Sequence, residues 1–216
     1  MKKYYIFVLA ALMLAVFATG CNRSEETAVD PSTYEKIIQT LSEMQTYRSE
    51  ATVQYISNKN SNTYRTMQYG KISGEYRIEV TSPEHSAGNI TVFDGATISQ
   101  FNARNSGRIF VLAREDMARS EILVTSFVRN YLESQETSVS VGSFGDGKCT
   151  ILEVALPGDH PYLATSKLWI DNKTLAPVKL VISDREGGER VIVTYNNFEY
   201  NIELANEIFS VNTEGQ

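Results

Sequence analysis

Most of this chain consists of short segments in which apolar and polar residues alternate, and this pattern restricts the fold more than any other feature. From Ala51 onward such segments, rich in Tyr, Ile, Val and Thr, follow one another with turn residues between them. Consecutive strands joined by tight turns pair antiparallel, and Asp94-Gly95 is the strongest turn signal. The predicted strands cover residues 51–57, 63–72, 74–81, 89–94, 96–102, 108–113, 137–144, 148–156, 165–171, 177–184 and 189–196, and residues 197–203 are left open as a candidate for a further strand.

Two other segments have the helical period. After Pro31, apolar side chains recur at helical spacing up to about Tyr47, and Ser32 with Glu35 has the spacing of a capping box. A second apolar stripe predicts a helix over about 117–134. A sheet of ten or eleven strands has to curl, and each apolar stripe needs a surface to cover. The sequence therefore predicts an α+β fold, a curved antiparallel half-barrel with two helices covering its concave face.

The N-terminus has the layout of a secretory signal peptide. Lysines at positions 2 and 3 precede an apolar run over 6–18, and small residues follow before Cys21. The run is shorter than the roughly 20 residues that a membrane-spanning helix needs. The final Ala-Thr-Gly-Cys resembles a bacterial lipobox, which implies cleavage after Gly20 and lipid attachment at Cys21. The alternative is an ordinary cleaved signal with a spare thiol.

The chain thus divides into a signal peptide over 1–20, a lipidated polar tether over 21–30 and one domain over 31–216. The leader holds two of the 20 basic residues and none of the 26 acidic ones, which leaves 18 against 26 and a formal charge of −8. This charge repels phosphate backbones, so we expect no nucleic acid partner. It gives no attraction to anionic lipid either. We therefore expect the protein on the outer side of a bacterial membrane, held there by acyl chains.

The second cysteine, Cys149, has two interpretations. If Cys21 carries lipid, it cannot pair with Cys149, which lies in a predicted strand on the side opposite Leu152 and Val154. Cys149 is then either a partly buried free thiol or one half of a disulfide between two chains. A homodimer could also form by strand exchange, since an open half-barrel has free edge strands.

The sequence shows no recognisable catalytic set. His85 and His160 each lie in a loop flanked by Pro or Gly, and neither has a His or Cys partner at metal-ligand spacing. The glycine-rich segment 142–147 links two strands and lacks the ending of a phosphate-binding loop. No nucleophile elbow is present. We therefore expect no enzymatic activity, no catalytic residues, no metal and no cofactor.

Aromatic residues recur on successive strands of the first half. They either fill the core of a curved sheet or line an apolar groove or protein-binding face. Trp169 alternates with Leu168 and Ile170, so its face is undecided. The candidate groove residues are Tyr64, Tyr69, Tyr76, Phe93, Phe101 and Phe110.

Several segments resemble LolA/LolB-like proteins. Residues 167–171 followed by 173–179 resemble the "strand, Asp, x-Lys-Thr, x-x-Pro, strand" segment of that superfamily. Residues 92–98 are similar to its Asp-Gly hairpin, and residues 195–198 with 206–209 to its closing strand and end. The resemblance spans about 31–211. It implies a half-barrel that binds acyl chains or proteins and performs no chemistry.

The layout of leader, lipobox, tether and LolA/LolB-like domain also resembles clostridial germination lipoproteins of the GerS type. That resemblance implies a non-enzymatic, lipid-anchored protein of the forming spore envelope. Its partner would be a cell-wall amidase of the CwlD type, which it binds and activates during the cortex modification that germination needs. The alternative is a carrier or binder of the acyl chains of lipids or lipoproteins, and this alternative requires a hollow interior.

Overall fold

The computed structural model describes residues 29–104, 108–111, 120–158 and 160–210, and over 108–111 it describes the strand without its side chains. The described residues contain two α-helices and eleven strands. The helices are α1 (Pro31–Ser42) and α2 (Val124–Glu133), and short 3-10 turns lie at Ser120–Ile122 and Asn206–Phe209. The strands are β1 (Thr46–Ile56), β2 (Ser61–Lys71), β3 (Tyr76–Ser82), β4 (Ile90–Phe93), β5 (Ile98–Asn102), β6 (Arg108–Val111), β7 (Thr137–Phe144), β8 (Gly147–Ala155), β9 (Thr165–Asp171), β10 (Pro177–Ser183) and β11 (Glu189–Tyr200).

All eleven strands form one antiparallel sheet in the order β6-β5-β4-β3-β2-β1-β11-β10-β9-β8-β7. Two meanders, β1–β6 and β7–β11, are joined in the centre, where β1 pairs with β11 and Val53 lies opposite Val193. The short turns of the sequence explain this topology, because each turn returns the chain beside the strand that it has just left. The outermost strands are β6 and β7.

Both helices cover one face of the sheet. Residues of α1, of α2 and of the inward-facing strand positions belong to a single buried cluster, and Ile37, Leu41 and Phe127 are at most 1% exposed within it. The alternating burial of the strands gives the sheet one apolar side for the helices to cover. The predicted fold class, a curved antiparallel half-barrel with two covering helices, is confirmed.

The first helix is shorter than predicted, and its cap is a different residue. The helix ends at Ser42, and Tyr47 belongs to β1. The Asn201 side chain accepts the backbone N–H of Gln45 at 2.7 Å and so fixes the start of that strand. At the other end, the carboxylate of Asp30, rather than the hydroxyl of Ser32, caps the helix by accepting backbone N–H groups of its first turn.

The last two predicted strands form one strand, β11. It continues through an irregularity in the pairing with β1, where Glu50 lies opposite Asn196 but Arg48 lies opposite Glu199. Asn197 occupies the extra position with a φ of 50°. Such a bulge bends a strand without ending it, and asparagine tolerates positive φ better than most residues.

Candidate binding sites

Side chains of the described residues pack closely between the helices and the concave side of the sheet. Phe127 of α2 stacks on Tyr131 with ring centroids 5.7 Å apart, and Tyr47 of β1 stacks on Phe198 at 5.1 Å. Burial raises the pKa of the Tyr47 phenol well above its ordinary value, so the hydroxyl stays neutral and donates to Gln68 Oε1 at 3.0 Å. Two clefts lined by described residues lie outside this packed region, and no residue of α1 or α2 lines either of them.

The candidate groove residues lie on both faces of the sheet. Tyr76 and Phe93 face the helices, where their ring centroids are 5.9 Å apart, and Tyr64 lies on the same face because it pairs with the buried Val53. Tyr69 pairs with the exposed Arg48, and Phe101 pairs with Ile90, so both face away from the helices. Phe110 lies in β6, and its side chain is outside the description. Successive residues of a strand alternate between faces, so these residues do not share one groove.

Cys149 lies on the outer face of the sheet, the face turned away from the helices, and is only 1% exposed. Burial, and secondly the charge of Asp171, raise the pKa of its thiol. A buried thiol with a raised pKa reacts slowly. A disulfide between two chains through Cys149 stays a prediction that this placement does not favour. Cys21 and Gly20 lie outside the described residues.

The described ranges offer no metal centre. Within them, no three His, Cys, Asp or Glu side chains are grouped so that they could hold a metal ion. None of the helices described is long and apolar enough to cross a membrane. His160 is packed beside Tyr162, with ring centroids 6.0 Å apart, and lies at the cleft described below.

The outer face carries four apolar side chains on β8 to β11, in two cross-strand pairs that lie side by side rather than in one row, since Trp169 is opposite Lys179 and Val181 is opposite Lys167. Ile151 pairs with Trp169, and Val181 pairs with Ile192 in the neighbouring strands, and we call these four residues the outer apolar band. The Lys179 ammonium lies 4.8 Å from the Trp169 ring centre, within the range of a cation–π contact. The structure therefore decides the face of Trp169, which the sequence left open.

A glycine on the edge strand β7 makes room for this band. A Cβ at Gly142 would come within 2.7 Å of Ile151 Cδ1 and 3.6 Å of Trp169 Nε1. At the end of the same strand, Phe144 is 38% exposed. Salt bridges border the band, such as that between Lys167 and Glu153 at 3.3 Å. An apolar centre with a charged border is the arrangement of a protein interface.

A cleft of about 870 Å³ opens at the end of the sheet where β1 turns into β2. We call it the mouth cleft. The guanidinium of Arg190 holds its wall together, because Nε donates to Asp184 at 2.6 Å and another nitrogen donates to Asn58 Oδ1 at 2.7 Å. The same guanidinium lies 5.2 Å from the ring centre of Tyr162, a side chain that is 53% exposed. The lining of the mouth cleft includes Tyr55, Asn58, Asn60, Glu121, Tyr162 and Arg190.

Asp184 fixes Arg190 through its charge. Burial alone would raise the pKa of the Asp184 carboxyl, but the backbone N–H of Gly188 and the Arg190 guanidinium outweigh burial and hold the pKa below 3.8. A lowered pKa means that Asp184 stabilises the fold above about pH 4 and loses this contribution as the pH falls through the folded-state pKa.

We therefore expect the free energy of unfolding of the unaltered chain to fall more steeply on acidification than that of the Asp184→Asn variant. The variant should be less stable at neutral pH. Because it lacks the titrating carboxyl, its free energy of unfolding should change less between about pH 5 and pH 2. Urea unfolding at several pH values measures both slopes. If the free energy of unfolding changed equally with pH in the two proteins, the charge of the Asp184 carboxylate would not stabilise the fold.

The chain matches a known family along almost its whole length. A family model described as sporulation protein YdcC-like matches residues 1–209. No curated protein matches the chain. An uncharacterized conserved protein of Thermus thermophilus is 12% identical, with 85% of this chain and 97% of that one covered and a TM-score of 0.54, and it shows the fold.

Two further solved structures relate to the resemblances found in the sequence. GerS from Clostridioides difficile, solved in complex with the CwlD amidase, is similar at 28% identity, covering 79% of this chain and 95% of that chain, with a TM-score of 0.48. A LolA superfamily protein of Nitrosomonas europaea is 15% identical, covering 83% and 96%, with a TM-score of 0.47. The predicted resemblance to GerS and to LolA-like proteins is confirmed.

Proposed function

Because the chain belongs to the family of YdcC-like sporulation proteins, we propose that it is a non-enzymatic, lipid-anchored protein that binds and activates a cell-wall amidase. The amidase would modify the spore cortex, a step that germination needs. The class of partner is the one that GerS binds in its solved complex. Family membership supports the role in sporulation, and the sequence of residues 1–21 supports the lipid anchor.

The observation that carries the proposal is the tight packing of the described side chains between helices and sheet. A carrier of acyl chains needs an apolar cavity between helices and sheet, and here that space holds Phe127, Leu123, Tyr47 and Leu152, each at most 1% exposed. A protein whose interior is packed acts through its surface. Contact with another protein therefore fits the described residues better than carriage of a lipid.

We place the amidase on the outer apolar band. Tryptophan is the residue type most enriched among side chains that dominate protein interfaces, and Trp169 is the one tryptophan of the sequence. The Lys167–Glu153 pair and Lys179 surround it with charge, which suits the border of an interface. Gly142 keeps the band open toward the edge of the sheet.

Binding to a purified amidase tests the proposal. The full chain in detergent should bind the amidase and raise its rate of cleaving cortex peptidoglycan, while Trp169→Ala should weaken binding roughly 30-fold, equivalent to about 2 kcal/mol. Leu132→Ala is the matched control, because Leu132 is 48% exposed on the helical side. Absence of binding and activation by the unaltered chain rejects the amidase, whereas full binding by Trp169→Ala rejects only the docking face.

The lipid anchor has its own test. Cys21→Ala should move the protein from the membrane fraction to the soluble one, because the net negative charge of the chain gives it no overall attraction to anionic lipid. Cys149→Ala is the control and should stay in the membrane fraction. Mass spectrometry of the N-terminal peptide should find acyl groups on Cys21. An N-terminal peptide free of acyl groups would leave only the ordinary secretory signal.

The second candidate function is binding of acyl chains, which the LolA-like fold favours. It predicts that lipid extracts of the purified chain contain fatty acyl groups in amounts equal to the protein.

A homodimer through the edge strands or Cys149 also stays a proposal. Light scattering of the full chain, with Cys149→Ala beside it, would measure the mass of the particle and show whether a disulfide holds two chains together.

A further inference from the structure

The mouth cleft is lined by apolar side chains, among them Leu163 and Val191, and by polar groups, which suits a neutral ligand with apolar faces and polar edges. Its volume of about 870 Å³ lies in the range of small-molecule sites, and amide and hydroxyl groups of the turn after β1 form one wall. Asn58, Asn60 and Ser57 belong to that wall. The side-chain oxygens of Asn58 and Asn60 already accept from Arg190 and Ser57, so their amide nitrogens are the groups of this wall that would lose water beside a fatty acyl chain.

The strongest charge of the cleft, that of Arg190, is paired within the protein. Arg190 forms a salt bridge with Asp184 at 2.6 Å and donates to Asn58, so its charge is neutralised where it reaches the cleft. The other charged groups of the described lining, Lys59 and Glu121, have opposite signs. With the Asp184–Arg190 pair counted as neutral, the described lining has no excess of positive charge, which a phosphate or carboxylate ligand would need.

An aromatic platform stands at the edge of the cleft. Tyr162 is 53% exposed, although its backbone N–H donates to His160 Nδ1 at 3.2 Å and its ring is held by the guanidinium of Arg190. An exposed ring that is fixed in place offers an apolar face to a flat, weakly apolar ligand such as a sugar ring, with polar groups beside it for the sugar hydroxyls.

From these three observations we infer that the mouth cleft binds a neutral oligosaccharide with N-acetyl groups. In this inference Tyr162 stacks against a sugar ring, and the amide nitrogens of Asn58 and Asn60, which line the same cleft, donate to the oxygens of hydroxyl and acetamido groups. This inference deepens the proposed function, because an amidase partner works on glycan strands, but it requires only the chain itself. Glycan bound here would hold the anchored protein at the wall that its partner modifies.

Titration calorimetry of the full chain in detergent, with the N-acetylglucosamine tetramer as probe and without amidase, tests the inference. The unaltered chain should bind the tetramer, Tyr162→Phe should bind within about twofold, and Tyr162→Ala should bind about tenfold more weakly, because only the ring is lost. Phe144→Ala is the control, since it removes another exposed ring on the outer face and should bind as well as the unaltered chain.

Three results would overturn the inference. They are no binding of the tetramer by the unaltered chain, equal binding by Tyr162→Ala, and displacement of the tetramer by inorganic phosphate or by oleate. Displacement by phosphate would show that Arg190 has charge to spare, and displacement by oleate would show an acyl site. Amidase binding, measured separately with Trp169→Ala, can fail while tetramer binding succeeds, so the two proposals are distinguishable.

Discussion

Replacing Phe127 by alanine should destabilise the protein by about 3–5 kcal/mol. Phe127 lies on the inward side of α2, is 1% exposed and stacks on Tyr131. Alanine would leave a cavity between helix and sheet that the packed surroundings can fill only in part. Because domains of this size are stable by only about 5–15 kcal/mol, the change removes a large part of the total. Urea unfolding followed by the fluorescence of Trp169 measures the loss.

The matched control is Leu132→Ala on the same helix. Leu132 is 48% exposed, so the change should alter the free energy of unfolding by no more than about 0.5 kcal/mol. The two variants remove apolar side chains from opposite sides of α2. If both variants lost a similar free energy of unfolding, the side of α2 that carries Phe127 would not be packed against the sheet.

Replacing Gly70 by alanine is the second change with a large expected effect. A Cβ at this position would lie 2.6 Å from Cε1 of Tyr47 and 2.9 Å from Oγ1 of Thr125. The Tyr47 ring cannot easily yield, because it stacks on Phe198 and its hydroxyl donates to Gln68. Overpacking of this kind costs about 1–3 kcal/mol, and urea unfolding should show a loss in that range.

A double variant separates this clash from any effect of the strand itself. Tyr47→Ala alone should be strongly destabilising, because the ring is fully buried. In the Tyr47→Ala background, however, Gly70→Ala should cost less, since the ring atoms that it would meet are gone and only the contact with Thr125 Oγ1 remains. Strictly additive losses would show that Gly70 is needed for its backbone and not for the space beside Tyr47.

The strands were predictable from the sequence because most of them alternate and end at turn residues. The start of β1 was not, since Tyr47 fits the helical spacing after Pro31 as well as the inward side of a strand. Ser49 also obscured the alternation, because it is buried yet polar and donates to the carbonyl of Asn196. Its partner, like Asn201 at the start of the strand, lies near the far end of the sequence, where no local pattern points to it.

The candidate groove failed as a set for a reason that spacing could have shown. Tyr64 and Tyr69 are five residues apart in one strand, and an odd separation places side chains on opposite faces. Neither the side of the sheet on which Trp169 lies nor the existence of the mouth cleft could be predicted from the sequence. The first depends on which flanking residues contact the helices, and the second joins Asn58 to Arg190, which are 132 residues apart.

The pairing of β1 with β11 in the centre of the sheet has a consequence for biogenesis. β11 comes last in sequence among the eleven described strands, so its central pairing with β1 cannot form until the chain has been made as far as β11. Contacts between residues so distant in sequence form slowly. Until β11 arrives, β1 and β10 are both unpaired edges that invite aggregation. A chain that stops before residue 189 would leave both edges unpaired permanently. Completion of the sheet therefore depends on β11.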